Sequence, residues 1–94
     1  MRALTPKRIA PPFAHYSHGV DISAGSRIVR TSGQLGLPAD DDVPEDVRSQ
    51  AEICFDNIDA ILSEAGMTRN CIVHITAWVT DRAHMQGYMQ ARDA

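Results

Sequence analysis

The sequence predicts an α+β fold: a small sheet with two helices packed on one face, in the order β-β-α-β-α. Three observations predict it. Residues 46–65 carry apolar side chains at three- and four-residue steps, residues 27–35 alternate with period two, and residues 71–79 (CIVHITAWV) form a nearly unbroken β-branched and aromatic run.

Each element follows in order. The opening stretch to Ala14 contains Pro6, Pro11 and Pro12. It reads as extended chain, because proline fixes φ and pushes the residue before it out of the helical region. Strand candidates cover about 16–22 and 27–35, with Ser23, Ala24, Gly25 and Ser26 as the turn of a hairpin. In the second strand Ile28 and Arg30 share one face, and Val29 and Thr31 the other. A polar loop with Asp40, Asp41 and Asp42 leads to the first helix. The run lacks the spaced ligands and bidentate glutamate of a calcium loop, so it is expected to complement the helix dipole instead.

In that helix, Val47, Ala51, Cys54, Phe55, Ile58, Ile61, Leu62 and Ala65 form one stripe, while Arg48, Glu52, Asp56 and Asp59 fall off it. Pro44 suits the first turn and Gly66 the C′ position. The run 71–79 reads as a strand buried on both faces, Ile72, His74, Thr76 and Trp78 on one of them. Thr80 and Asp81 cap a second helix from about Arg82, with Met85, Tyr88, Met89 and Arg92 in register. The third strand can lie parallel to an earlier one through a right-handed crossover. Such a three-stranded sheet leaves edges and one face bare, to be covered by oligomerisation or by further strands.

Composition narrows the function. Ninety-four residues make one domain, 1–94, and the chain stops at Ala94 in mid-helix, so the domain is expected to be incomplete at its C-terminus. Nine basic against twelve acidic residues give a net charge of −3, which supplies no basic footprint for nucleic acid. There is no apolar run long enough to span a membrane and no signal-peptide core, so a soluble cytoplasmic protein is expected. Cys54 and Cys71 are too few for a disulfide scaffold and read as buried free thiols. Among His15, His18, His74 and His84, the spacing of His15 and His18 places them on opposite faces of a strand, and no Cys/His pattern for zinc is present. No metal is expected.

The residues Ile9-Ala10-Pro11-Pro12, Tyr16-Ser17-His18-Gly19-Val20 and Thr31-Ser32-Gly33-Gln34-Leu35 together resemble the Rid family. This is the YjgF, or L-PSP endoribonuclease-like, group. The likeness continues through Val43-Pro44-Glu45-Asp46-Val47, Asp56-Asn57-Ile58-Asp59-Ala60-Ile61-Leu62, Ala65-Gly66 and Ile72 to Asp81. The resemblance implies a chorismate-mutase-like fold, a homotrimer with intersubunit clefts, and hydrolysis of reactive 2-imino and enamino acids to keto acids and ammonia without a cofactor. Its expected partner is a small imine, enamine or other small carboxylate. A non-catalytic trimeric member that binds a small molecule in the same cleft is the alternative. Ribonuclease activity, suggested by the older family name, finds little support in an acidic chain with five aromatic residues.

By the same resemblance Tyr16 matches the pocket tyrosine, and Ser32 with Gly33 the Ser-Gly of the substrate cleft. Met89 stands near a position where the family usually has asparagine, a departure that removes an amide donor. An arginine that grips the substrate carboxylate and a glutamate that orients water are expected on strands after the second helix, past Ala94. Within the chain Arg30, two residues before Ser32 and on the same face of a regular strand, is the plausible substitute. Ser32 lacks the G-x-S-x-G elbow of a nucleophile and reads as a hydrogen-bond donor.

Overall fold

The computed structural model describes residues 1–14, 16–40 and 42–94. Expectations that fall on His15 and Asp41 therefore lie outside the described residues. In chain order the elements are β1 (Arg2–Leu4), β2 (Gly19–Asp21), α1 (Val47–Glu64) and α2 (Met85–Asp93), with short 3₁₀ turns at Arg69–Cys71 and Arg82–His84.

Helix α1 matches the stripe that predicts it. Asp46 is its N-cap, the carboxylate accepting from Ser49 N–H at 2.9 Å. That hydrogen bond holds the Asp46 carboxyl below the usual carboxylate range. Ahead of it, Asp40 accepts from the backbone N–H of Asp42 at 3.0 Å. At the other end Gly66 adopts φ +70°, Met67 N–H reaches Leu62 O at 2.9 Å and Gly66 N–H reaches Ser63 O at 3.0 Å. These are the paired bonds of a Schellman ending, and they require a residue tolerant of the left-handed region.

Ala51, Phe55 and Leu62 of α1 and Ala91 of α2 are the buried apolar residues, so the core is the seam between the two helices. Phe55 and Tyr88 stack across it with ring centroids 6.4 Å apart. The Arg69 guanidinium lies 5.8 Å from the Phe55 ring centre, and that of Arg92 lies 6.0 Å from the Tyr88 ring centre. Close approach is set by Gly87, where a Cβ would sit 2.8 Å from Val47 Cγ1. Burial raises the Tyr88 phenol and Cys54 thiol above their ordinary values.

The sheet departs from expectation. The predicted turn forms, with Gly25 at φ +82° and Ser26 donating to Ser23 O through both its N–H and its hydroxyl. It does not close a hairpin. Strand β2 pairs antiparallel with β1, Val20 opposite Ala3, so the Pro-rich opening supplies the partner that residues 27–35 were expected to provide. Residues 27–35 and 72–79 form no regular strand. The main packing is helix on helix, not two helices on one face of a sheet. The reason is physical: a strand has no internal hydrogen bonds, and one apolar on both faces is stable only between covering layers. Cys71, expected in the core at the start of that strand, is exposed.

The accessible surface is 7618 Å², against about 5,400 Å² for a compact monomer of this mass. No helix among the described residues is long and apolar enough to cross a membrane.

Candidate functional site

The segment that carries Arg30, Ser32 and Gly33 has no strand ladder, yet it is fixed against α1 along its length. At its start the Arg27 guanidinium donates to Ala65 O at the C-terminal end of the helix. Further on, Cys54 Sγ donates to Gln34 O at 3.5 Å and Asn57 Nδ2 to Leu37 O at 3.4 Å. At Gly36 the backbone comes so near α1 that a Cβ would lie 2.6 Å from Gln50 Cβ and 2.9 Å from its Cα. Only glycine permits that approach. The segment thus runs as a strap antiparallel to the helix, from Ala65 back towards Gln50.

Between these anchors Arg30, Thr31, Ser32 and Gly33 line a shallow open depression. Gln34 Nε2 turns back to donate to Ser32 O at 3.2 Å. A Cβ on Gly33 would meet nothing within 4 Å, so the backbone there is open to an incoming molecule. The chemistry on offer is one guanidinium, two hydroxyls and accessible backbone, a donor-rich set with no acidic group. It suits an anion or a carbonyl oxygen.

The remaining candidates stand elsewhere in the chain. Tyr16, 44% exposed, lies edge-on to Phe13 with centroids 5.4 Å apart and to His18 at 6.1 Å. His18 is tethered through Nε2 to Ala10 O at 2.6 Å, which holds the aromatic trio onto the Pro-rich opening. Met89 is half-buried on α2. The structure therefore brings Arg30, Ser32 and Gly33 together, while Tyr16 and Met89 do not line their depression. Among the described residues no group of three His, Cys, Asp or Glu could hold a metal.

Residue-by-residue reading missed Cys54 and Asn57 as the side chains that hold the strap. Their signal was present only as polar groups on the helix stripe or beside it, opposite carbonyls 20 residues away in sequence. Burial pushes the Cys54 thiol up, and in this structure it donates to Gln34 O. Arg69 is tied to Asp59 at 2.7 Å and to Asp56 at 3.6 Å, and the hydrogen bond to Asp59 raises its pKa further. Arg48 pairs with Glu52 at 3.1 Å. Neither cation is available to a ligand at the strap.

Comparison with known proteins gives concordant results. Residues 7–94 match the family described as endoribonuclease L-PSP. A RutC family protein of Aquifex aeolicus is 34% identical over 82 residues, covering 86% of this chain and 63% of its own length. A RutC family protein of Haemophilus influenzae is 38% identical over 77 residues, 81% of this chain and 54% of the relative. A 2-iminobutanoate/2-iminopropanoate deaminase of Escherichia coli K12 is 40% identical over 77 residues, 81% of this chain and 55% of the relative. The chain thus spans between about half and two-thirds of the length of these relatives. No solved structure gives a significant match. A match over nearly the whole chain, carried by relatives at 34–40% identity, means that the chain belongs to the Rid/YjgF family, the endoribonuclease L-PSP group.

Proposed function

We propose that the protein hydrolyses reactive 2-imino and 2-enamino acids to 2-keto acids and ammonia. The observation that carries this reading is the 40% identity to a 2-iminobutanoate/2-iminopropanoate deaminase across 81% of the chain. The donor-rich depression at Ser32 and Gly33 supports it.

The chemistry asks little of a protein. An enamine takes a proton at its terminal carbon and gives up one from its nitrogen, becoming the imine. Water then adds to the imine carbon, forming a C–O bond while the C=N π pair moves to nitrogen and is protonated. Collapse of the resulting carbinolamine breaks the C–N bond, expels ammonia and leaves the keto group. The imine carbon is electrophilic from the start, so positioning of substrate and water with one proton relay is the main requirement. In this scheme Ser32 Oγ and the Gly33 backbone hold the substrate. The Tyr16 hydroxyl, brought to the site across a cleft between subunits of a homotrimer, orients water or passes the proton. Exposed Trp78, Ile28 and Leu35 supply apolar surface for such an assembly.

The test generates 2-aminoacrylate in situ with a β-eliminating lyase and follows keto-acid release with and without the protein. Release above the spontaneous rate is expected of a chain that also carries the carboxylate-gripping arginine and the water-orienting glutamate of the family, and not of residues 1–94 by themselves. In such a chain Tyr16→Phe should lower the rate about 10²-fold or more while leaving the helical circular dichroism unchanged. No acceleration by a chain that carries both residues refutes the reading. Met89, which replaces an amide donor with a thioether, favours a second one, a small-molecule binder without turnover; saturable keto-acid binding in the absence of acceleration would identify it.

A further inference from the structure

Tyr16 stands near the end of the Pro-rich stretch that joins β1 to β2. At 44% exposure its side chain is not held by burial, yet a phenol that passes a proton has to reach its partner within about 3 Å. Two rings lie against it. Phe13 meets it edge-on with centroids 5.4 Å apart and planes at 76°, and His18 meets it at 6.1 Å and 89°. Phe13 is not the fixed member of the group, because it is 90% exposed and has no polar atom by which to be held. His18 is fixed. It immediately precedes Gly19, the first residue of β2, and its Nε2 lies 2.6 Å from Ala10 O, eight positions back in the chain. A carbonyl only accepts, so Nε2 carries the proton and donates.

We propose that His18 is the positioning residue for Tyr16: tied to Ala10 O through Nε2–H, its imidazole buttresses the Tyr16 ring and so fixes where the phenol hydroxyl points. This rests on the reading of Tyr16 as the group that orients water or passes the proton, and His18 acts only through it. An exposed tyrosine samples several rotamers, and a neighbour anchored to the main chain removes the alternatives. The anchor is itself stiff. Ala10 precedes Pro11, which restricts its backbone to extended conformations, and Pro11 and Pro12 have fixed φ. The main chain at Tyr16 is held as well, its N–H donating to Ala14 O at 2.9 Å. Imidazole suits this role because it combines a flat ring for the phenol to pack on with a donor for the carbonyl.

Nuclear magnetic resonance of isotope-labelled tyrosine and phenylalanine rings reads the arrangement directly, since the chain has two of each: Tyr16 and Tyr88, Phe13 and Phe55. The Phe55–Tyr88 stack serves as the control for an intact fold. In the parent, cross-relaxation should connect the Tyr16 ring to Phe13 and to His18. His18→Leu keeps apolar bulk but has no donor; it should lose the Tyr16–Phe13 contact and bring the Tyr16 resonances close to those of free tyrosine, with Phe55–Tyr88 unmoved. His18→Gln, whose amide can still donate to Ala10 O, should retain the contact. Absence of these contacts in the parent, Tyr16 resonances unmoved in His18→Leu, or a His18→Gln no better than His18→Leu would each overturn the proposal. In a chain that also carries the arginine and glutamate of the family, His18→Leu should lower kcat about tenfold or more at little-changed KM, and His18→Gln should recover most of it. An unchanged kcat in His18→Leu would overturn the positioning role. No hydrolysis by that parent chain refutes the deaminase reading alone, and the ring contacts still decide on His18.

Discussion

Along α1 the apolar residues Ala51, Phe55 and Leu62 are buried, whereas in the two apolar runs that form no strand, Ile28, Leu35 and Trp78 are 82%, 74% and 91% exposed. The two regions have similar apolar content and opposite fates. A helix closes its own backbone hydrogen bonds four residues apart and needs only one partner for its stripe, which α2 supplies. An extended run has to find both hydrogen bonds and cover from other segments. Residues 27–37 obtain a substitute in the side chains of α1, through Cys54, Asn57 and the close contact at Gly36, and so form a strap. Residues 72–79 obtain less: Ile72 and Ile75 reach the pocket beside Phe55, while Trp78 projects outward.

The contrast can be broken at its strong side first. Phe55→Ala removes the ring that stacks on Tyr88 and underlies Arg69, in a core of few residues. A loss of about 3 kcal/mol is expected, from burial together with the cavity left behind. Chemical denaturation followed by circular dichroism should show the midpoint fall sharply, and a change under about 1 kcal/mol would mean that the helix seam is not the core.

Next in size is the strap. A methyl group at Gly36 would collide with the Cβ and backbone Cα of Gln50, atoms that cannot swing aside. Gly36→Ala should cost about 1–3 kcal/mol. It should also shift the amide resonances of Ser32 and Gly33, because the depression is set by the same attachment. Preserved stability and unmoved resonances would show that the strap is not held at this point.

The smallest effect on folding, and the most telling for the exposed run, belongs to Trp78→Ser. With the indole almost wholly exposed in the single chain, folding stability should change by no more than about 0.5 kcal/mol. Sedimentation equilibrium should give the parent a mass near three times 10.3 kDa and the variant a lower one. A parent that remains monomeric, or a variant that assembles as well as the parent, would leave Trp78 without a role in assembly.

Much of the helical region was legible in sequence because its determinants are local. The stripe from Val47 to Leu62 and the glycine at 66 state which face α1 buries and where it must end, whereas its start is set by the Asp46 cap, and Pro44, expected in the first turn, lies ahead of it. At the second helix the cap was legible and the start was not: Asp81 accepts from Ala83 N–H at 2.9 Å but caps the 3₁₀ turn Arg82–His84, and α2 begins only at Met85. Nor was its contact legible. That Ala91 is the most deeply buried side chain of α2, and that Gly87 admits Val47, depends on the crossing of two helices some 40 residues apart.

For the candidate site the division is the same. The sequence by itself determined the residue types: an arginine two positions before Ser-Gly, and motifs shared with one family over nearly the whole chain. It determined the helices too, since a periodic stripe and its caps act within a few residues of one another. Tertiary structure alone decided that β2 pairs with Arg2–Leu4 instead of residues 27–35, that the latter lie as a strap along α1, and that Arg30, Ser32 and Gly33 share one depression apart from Tyr16. The physical reason is that an extended segment carries unpaired donors and acceptors on both sides. Several partners can satisfy them about equally well, and which one does is settled by what the rest of the chain brings within reach.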